Sequence, residues 1–142
     1  MCLELKDKFS EPLLATKAIR CYKAVYASSY VEHGNRRQLR TPYMNSLIIF
    51  NRLLTARLSF SAKGDIESGY HVFTTKIQAQ KFCDENRGCL VIPALLPTGS
   101  RYYQGRFQDF DSLVSDQIIY YSKWWVKRFF QGYYFPCLFF NH

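Results

Sequence analysis

The chain has 142 residues, 48% of them apolar and 21% charged, with a formal net charge of +8; that length suits one domain with a single core, and that balance excludes a disordered polyelectrolyte. No apolar run is long enough to span a bilayer, the nearest, 124–140, being interrupted by Lys127, Arg128, Gln131 and Gly132, so no membrane association is expected. Five cysteines (Cys2, Cys21, Cys83, Cys89, Cys137) without a C-x-x-C pair, and three separated histidines, give zinc nothing to build on. Reduced thiols and a cytoplasmic location are expected, because residues 1–8 alternate charged and apolar side chains where an export signal carries an unbroken apolar stretch.

In chain order, residues 1–17 read as a leader segment or first short helix ending near residues 11–12. Residues 18–27 alternate as a strand, with Ile19, Cys21, Val25 and Ala27 on one face and Arg20, Tyr22, Ala24 and Tyr26 on the other. Gly34, Asn35 and Pro42 mark 33–43 as a basic loop. Residues 47–60 fit both helical and strand spacing, and strand is favoured. A turn at 62–65 precedes a short strand at 69–73. Thr75 and Gln78 have capping-box spacing, which predicts a helix over 76–86 with Gly88 at its C′ position. The apolar run 89–96 is a buried strand in which Pro93 predicts a sheet edge or a bulge. A Pro97-Thr-Gly-Ser100 turn leads into a strand from Arg101, and residues 117–121 form the last strand of the core. The sum is one α+β domain with an antiparallel-rich sheet, one short packed helix, a core over 18–121 and an aromatic C-terminal element over 122–142.

The charge is uneven. Residues 15–64 hold nine cations (Lys17, Arg20, Lys23, Arg36, Arg37, Arg40, Arg52, Arg57, Lys63) against Glu32 alone, which favours a phosphate-bearing partner, with a solvated basic face as the alternative. No recognised nucleic-acid motif is present, so a small anionic ligand is favoured over a polynucleotide. His71, in a Tyr-His-Val-Phe strand, reads first as a structural histidine, because one His without a second ligand or nucleophile defines no site. Thr74 and Thr75 suit helix caps and equally an anion site at a helix start. Tyr102 and Tyr103 must face opposite sides of their strand, so one packs and the other, beside Arg101, suits a purine ring and phosphate. Asp109, Asp111 and Asp116 read as solvated turn residues. No metal and no cofactor are expected.

The pattern Gly69-Tyr-His-Val-Phe, Pro97-Thr-Gly-Ser-Arg-Tyr-Tyr103 with Gly105, and Ser115-Asp-Gln-Ile-Ile119 resembles small proteins of bacteriophages and gut bacteria. More distantly, residues 18–121 resemble the core of ADP-ribosyltransferase-like folds. That resemblance implies a site of Arg20 and Tyr22, then His71, Thr74 and Thr75, then Ser115, Asp116 and Gln117. The family's third motif ends in a catalytic glutamate, whereas this chain has Gln117 beside Asp116; an amide binds a ribose but supplies no full negative charge to a developing cation. The resemblance therefore implies a degenerate, non-catalytic protein that binds a small phosphate-bearing nucleotide and sequesters a host defence signal. The alternatives are an ADP-ribosyltransferase-like or nucleotide-cleaving enzyme and a protein inhibitor of a host factor. The expected ligand-binding residues are Arg20, Tyr22, Lys23, Arg36, Arg37, Arg40, His71, Thr74, Thr75, Arg101, Tyr103, Asp116 and Gln117.

The tail yields a first prediction. Residues 124–140 hold too many large aromatics to remain in water, and a homo-oligomer is the favoured way to bury them. Burying four of them contributes on the order of 6–12 kcal/mol, so truncation after Tyr121 is expected to leave either insoluble chain or protomers of lower mass by light scattering. A truncated chain of unchanged assembly state and stability defeats both roles.

Overall fold

Strand β2 (Ile19–Ser29) is the longest element, and every other part of the sheet is placed by what pairs along it. The computed structural model describes residues 2–29, 37–40, 48–86 and 89–121. Around β2 stand β1 (Leu13–Leu14), β3 (Arg37–Arg40), β4 (Leu53–Thr55), β5 (Ser59–Phe60), β6 (Ile66–Ser68), β7 (Tyr70–Phe73), α1 (Lys76–Glu85), β8 (Cys89–Leu96), β9 (Arg101–Phe107), β10 (Phe110–Ser115) and β11 (Gln117–Tyr120). The main sheet runs β1-β9-β10-β7-β2-β8-β11-β4, with β3 also on β2 and β5-β6 as a separate hairpin. All ladders between named strands are antiparallel. The expected α+β class, an antiparallel-rich sheet with one short helix, is what the described residues form.

The sheet is two half-sheets joined at corners. β2 pairs with β8 without interruption from Ile19↔Leu96 to Tyr26↔Cys89, but with β7 only at Tyr22↔Phe73. On the far side β10 passes into β11 through Asp116 alone, although β7, β2 and β8 lie between them in the sheet. Four interstrand steps in a flat sheet would span about 19 Å, at about 4.8 Å each. Two Cα steps of the chain reach only about 7 Å. The sheet therefore rolls over on itself.

The rolled interior is filled from both halves. Cys21 and Val25 of β2, Val72 of β7, Ile92, Ala94 and Leu96 of β8, Leu113 of β10, and Ile118 and Tyr120 of β11 form one buried cluster. Tyr70 closes it across the halves, its ring edge-on to Tyr120 at 6.5 Å and its hydroxyl donating to the Thr55 carbonyl at 3.1 Å. On the outer face α1 buries Ala79, Phe82 and Cys83 against Ala24, Phe73 and Phe110.

The helix begins as expected: Thr75 Oγ1 accepts from Gln78 N at 3.2 Å. The capping box is only half made, because the Gln78 side chain turns away to accept from Asp111 N at 3.1 Å and so ties the helix to β10. Asn86 caps the C-terminus; Gly88 lies outside the described residues, as does the aromatic tail. Of residues 47–60, all but 47 are described; they contain no helix, and strand is confined to β4 and β5.

One expectation holds only in part and one fails. Pro93 marks no bulge, since the register of β8 with β2 is unbroken, and β8 is an inner strand; the edge at Pro93 is local, because β11 pairs only with Ala94 and Leu95. Its carbonyl accepts from Tyr121 N at 3.2 Å, so its missing N–H points to the same side, where the β11 ladder has already ended. The first 17 residues are not a helix. Leu3 exchanges backbone bonds with Ile66 (2.8 and 3.1 Å) and Glu4 with Arg106 (2.7 and 3.0 Å), β1 pairs with β9, and Leu3 and Leu5 are buried. The reason is the period-two alternation of Leu3, Glu4, Leu5 and Lys6, which suits a strand lying on a sheet.

That segment approaches β9 closely at Gly105, where an added Cβ would lie 2.2 Å from the Glu4 carbonyl oxygen. Gly105→Ala is therefore expected to push residues 3–5 off the sheet and cost about 1–3 kcal/mol, read as a lower denaturation midpoint with raised hydrogen exchange at Glu4 and Arg106. Unchanged exchange at those two amides would show that the N-terminal segment yields without cost.

Candidate functional site

Because β2 and β7 part after a single pair, a cleft of about 220 Å³ opens between the half-sheets, lined by Ile19, Arg20, Thr74, Tyr102, Gln104 and Leu113. Each lining residue is set by its element. Ile19 and Arg20 open β2, paired with Leu96 and Leu95. Thr74 is the last residue before the helix cap, and its N and Oγ1 lie 3.4 and 3.5 Å from the Asp111 carbonyl, which fixes the rim. Tyr102 and Gln104 alternate along β9, and Leu113 faces Gln104 from β10. Ile19, Leu113 and the Tyr102 ring provide an apolar floor continuous with the interior cluster.

Of the thirteen expected ligand-binding residues, Arg20 and Thr74 line this cleft. Tyr22 lies one strand position pair away, packed between the helix-side cluster and that of Leu95, Ile119 and Tyr121. Thr75 is engaged as the helix cap. Tyr103 is the packed member of its pair, buried with its hydroxyl donating to the Ser10 carbonyl at 2.9 Å, and its neighbour Tyr102 is the one at the cleft. Arg37 and Arg40 pair with Ser29 and Tyr26 at the far end of β2, which at about 3.3 Å per residue places them about 20–30 Å along the strand from Arg20. Arg36 lies outside the described residues.

Arg101, Asp116 and Gln117 gather at the β10–β11 corner instead. The Asp116 carboxylate accepts from Arg101 N at 2.9 Å, Asp116 N donates to the Arg101 carbonyl at 3.0 Å, and the Asp116 carbonyl accepts from Ala56 N at 2.8 Å. Gln117 N donates to Ser115 Oγ at 3.2 Å. This acid holds a chain crossing together, and neither it nor Gln117 lines the cleft.

Lys23 and His71 meet inside the fold. Lys23 is 7% exposed, and its Nζ donates to the His71 carbonyl at 2.6 Å, filling the gap where the β2–β7 ladder stops. Burial lowers the ammonium's pKa to about 8. His71 is lowered to about 4, first by burial and then by the Lys23 charge, and its Nδ1 lies 3.2 Å from the Gly69 carbonyl. A ring neutral at pH 7 is no phosphate clamp, so the structural reading of His71 is the one the geometry favours.

Tyr102, Gln104, Ile19 and Leu113 were not among the expected site residues. For Tyr102 the signal was present, since the alternation of the tyrosines demanded that one be outward. Gln104, two residues on along the same face, follows from it. Among the described residues no group of three or more His, Cys, Asp or Glu converges as a metal site, and no helix is long and apolar enough to cross a membrane. No family model, curated protein or solved structure matches the chain.

The titration of His71 has a definite sign. Its folded pKa lies below its ordinary value of 6.5, so as pH falls the unfolded chain takes up the proton first and stability is lost between pH 6.5 and about 4. The loss from this group is at most roughly 3–4 kcal/mol, at about 1.4 kcal/mol per pH unit. Denaturant melts at neutral and acid pH are expected to show it, and His71→Gln to flatten that part of the profile; an equal slope in the variant assigns the acid sensitivity elsewhere.

Proposed function

We propose that this chain is a non-catalytic binding protein for a small phosphate-bearing nucleotide, held at the cleft between the half-sheets. The observation that carries the reading is the lining: a guanidinium (Arg20), a phenol ring (Tyr102), a hydroxyl (Thr74) and an amide (Gln104) around one small apolar floor. Arg20 supplies charge-assisted bonds to a phosphate, Tyr102 a face for a base, and Gln104 and Thr74 hydrogen bonds to base or ribose edges. At about 220 Å³ the cleft is below the roughly 300–1,000 Å³ of sites that engulf drug-sized ligands. It suits one base or one ribose-phosphate, with the rest of the ligand on the rim. That supports a mononucleotide-sized ligand over a nicotinamide dinucleotide.

The same lining disfavours turnover. His71, Asp116 and Gln117, which the transferase resemblance would make the working groups, stand outside it, and His71 and Asp116 are engaged in holding the fold. Binding without turnover removes a nucleotide from circulation, and the resemblance to phage proteins makes a host defence signal the ligand class we favour. The basic strand β3 is then an electrostatic guide remote from the cleft, strengthening encounter through a field that salt screens.

Calorimetric titration with adenine and guanine mononucleotides tests this. Arg20→Ala and Tyr102→Ala are each expected to weaken binding about 10- to 100-fold, from about 1.5–3 kcal/mol for a charge-assisted bond and about 1–3 kcal/mol for a stacked base. Arg37→Ala with Arg40→Ala should act only at low salt. Affinity untouched by both cleft variants removes the site, and a nucleotide cleaved during incubation replaces the binding reading with the enzymatic one.

A further inference from the structure

Two of the free thiols converge. Cys83 lies in the last turn of α1 and Cys89 is the first residue of β8. Asn86 folds the chain between them: its N–H donates to the Cys83 carbonyl (3.1 Å), its Nδ2 to the Phe82 carbonyl (2.7 Å), and its own carbonyl accepts from Cys89 N (3.3 Å). Both side chains thereby enter one aromatic cluster with Phe73, Phe82 and Phe110. Their settings differ. Cys83 is 6% exposed, whereas Cys89 is only half-buried at the strand start.

We propose that Cys83 and Cys89 form a redox-active dithiol, a modification site that closes to an intramolecular disulfide by exchange with a low-molecular-weight disulfide. Cys89 is the attacking sulfur. Its neighbour Cys83 and the Lys23 charge both pull its pKa down, favouring its thiolate, while Cys89 and burial push that of Cys83 up and keep it protonated. The Cys89 thiolate attacks one sulfur of glutathione disulfide, forming a mixed disulfide and releasing one glutathione thiolate. Cys83 then gives up its proton and attacks the Cys89 sulfur, releasing the second glutathione. Two electrons and two protons pass from the protein to the reagent, which leaves as two thiols. The product staples the C-terminus of α1 to the start of the central strand β8.

The test uses the full-length, pre-reduced protein incubated with glutathione disulfide, then alkylated under denaturing conditions and digested with trypsin. Arg87 lies between the two cysteines, so the bridge joins peptides 82–87 and 88–101. The expected result is that linked pair as the main oxidised species. Cys83→Ser is expected to stop at glutathione held on 88–101, and Cys89→Ser to leave 82–87 unmodified. A wild-type product with glutathione on 88–101 and 82–87 alkylated, bridges from Cys83 or Cys89 to Cys2, Cys21 or Cys137, or both thiols fully alkylated would each overturn the proposal.

Discussion

The passage from β10 to β11 through Asp116 is the constraint on which the rest depends. One residue joins strands that stand four places apart in the sheet, and the chain is far too short to bridge that distance across a flat surface. The sheet can satisfy the order only by rolling, and Asp116 stabilises the crossing with three backbone-directed bonds, to Arg101 twice and Ala56 once. At the opposite corner the single pair Tyr22↔Phe73 is what remains of the β2–β7 ladder. A buried core shared by five strands follows from the first corner, and the cleft follows from the second, where the half-sheets part beyond that pair.

Parting the strands has an electrostatic cost that the chain meets with a lysine. Backbone groups released from a ladder need partners when buried, and the His71 carbonyl finds one in the Lys23 ammonium. A cation in such a place is pulled toward neutrality, and its charge in turn suppresses protonation of His71. Within a strongly basic protein, two basic side chains are thus withdrawn from the surface and serve the fold. Arg20 stands at the cleft, whereas Arg37 and Arg40 lie on β3, paired to the other end of β2.

Much of the local structure was legible because its signals are local. The alternation in β2, the Thr75 cap, the turn at 97–100 and the apolar run of β8 each depend on neighbours a few residues away, and each is found where it was read. Pro93 was read only in part, because a proline reports a missing donor and not which side of the strand is unpaired; that the edge is local to the β11 side depends on where β11 leaves the sheet. The N-terminal segment was misread because its alternation covers four residues, too few to weigh against a helical reading without knowing that β9 and β6 would be there to receive it. Tyr103 was chosen over Tyr102 for the same reason, since parity says that the two differ and is silent on which face is covered.

The sequence by itself determined the class of the described fold: α+β, mostly antiparallel strand, with a capped helix and a basic surplus in the first half of the chain, because composition and short-range periodicity constrain those properties directly. Only the tertiary structure decided which side chains meet. Arg20, Thr74, Tyr102 and Gln104 are drawn from three separate stretches of chain and meet because the sheet rolls, while His71, Asp116 and Gln117, which look like a site in linear order, are directed into the core and a corner. Convergence across 84 positions, from Arg20 to Gln104, is a property of strand order and curvature, and neither is written in any window of the sequence short enough to be read by spacing.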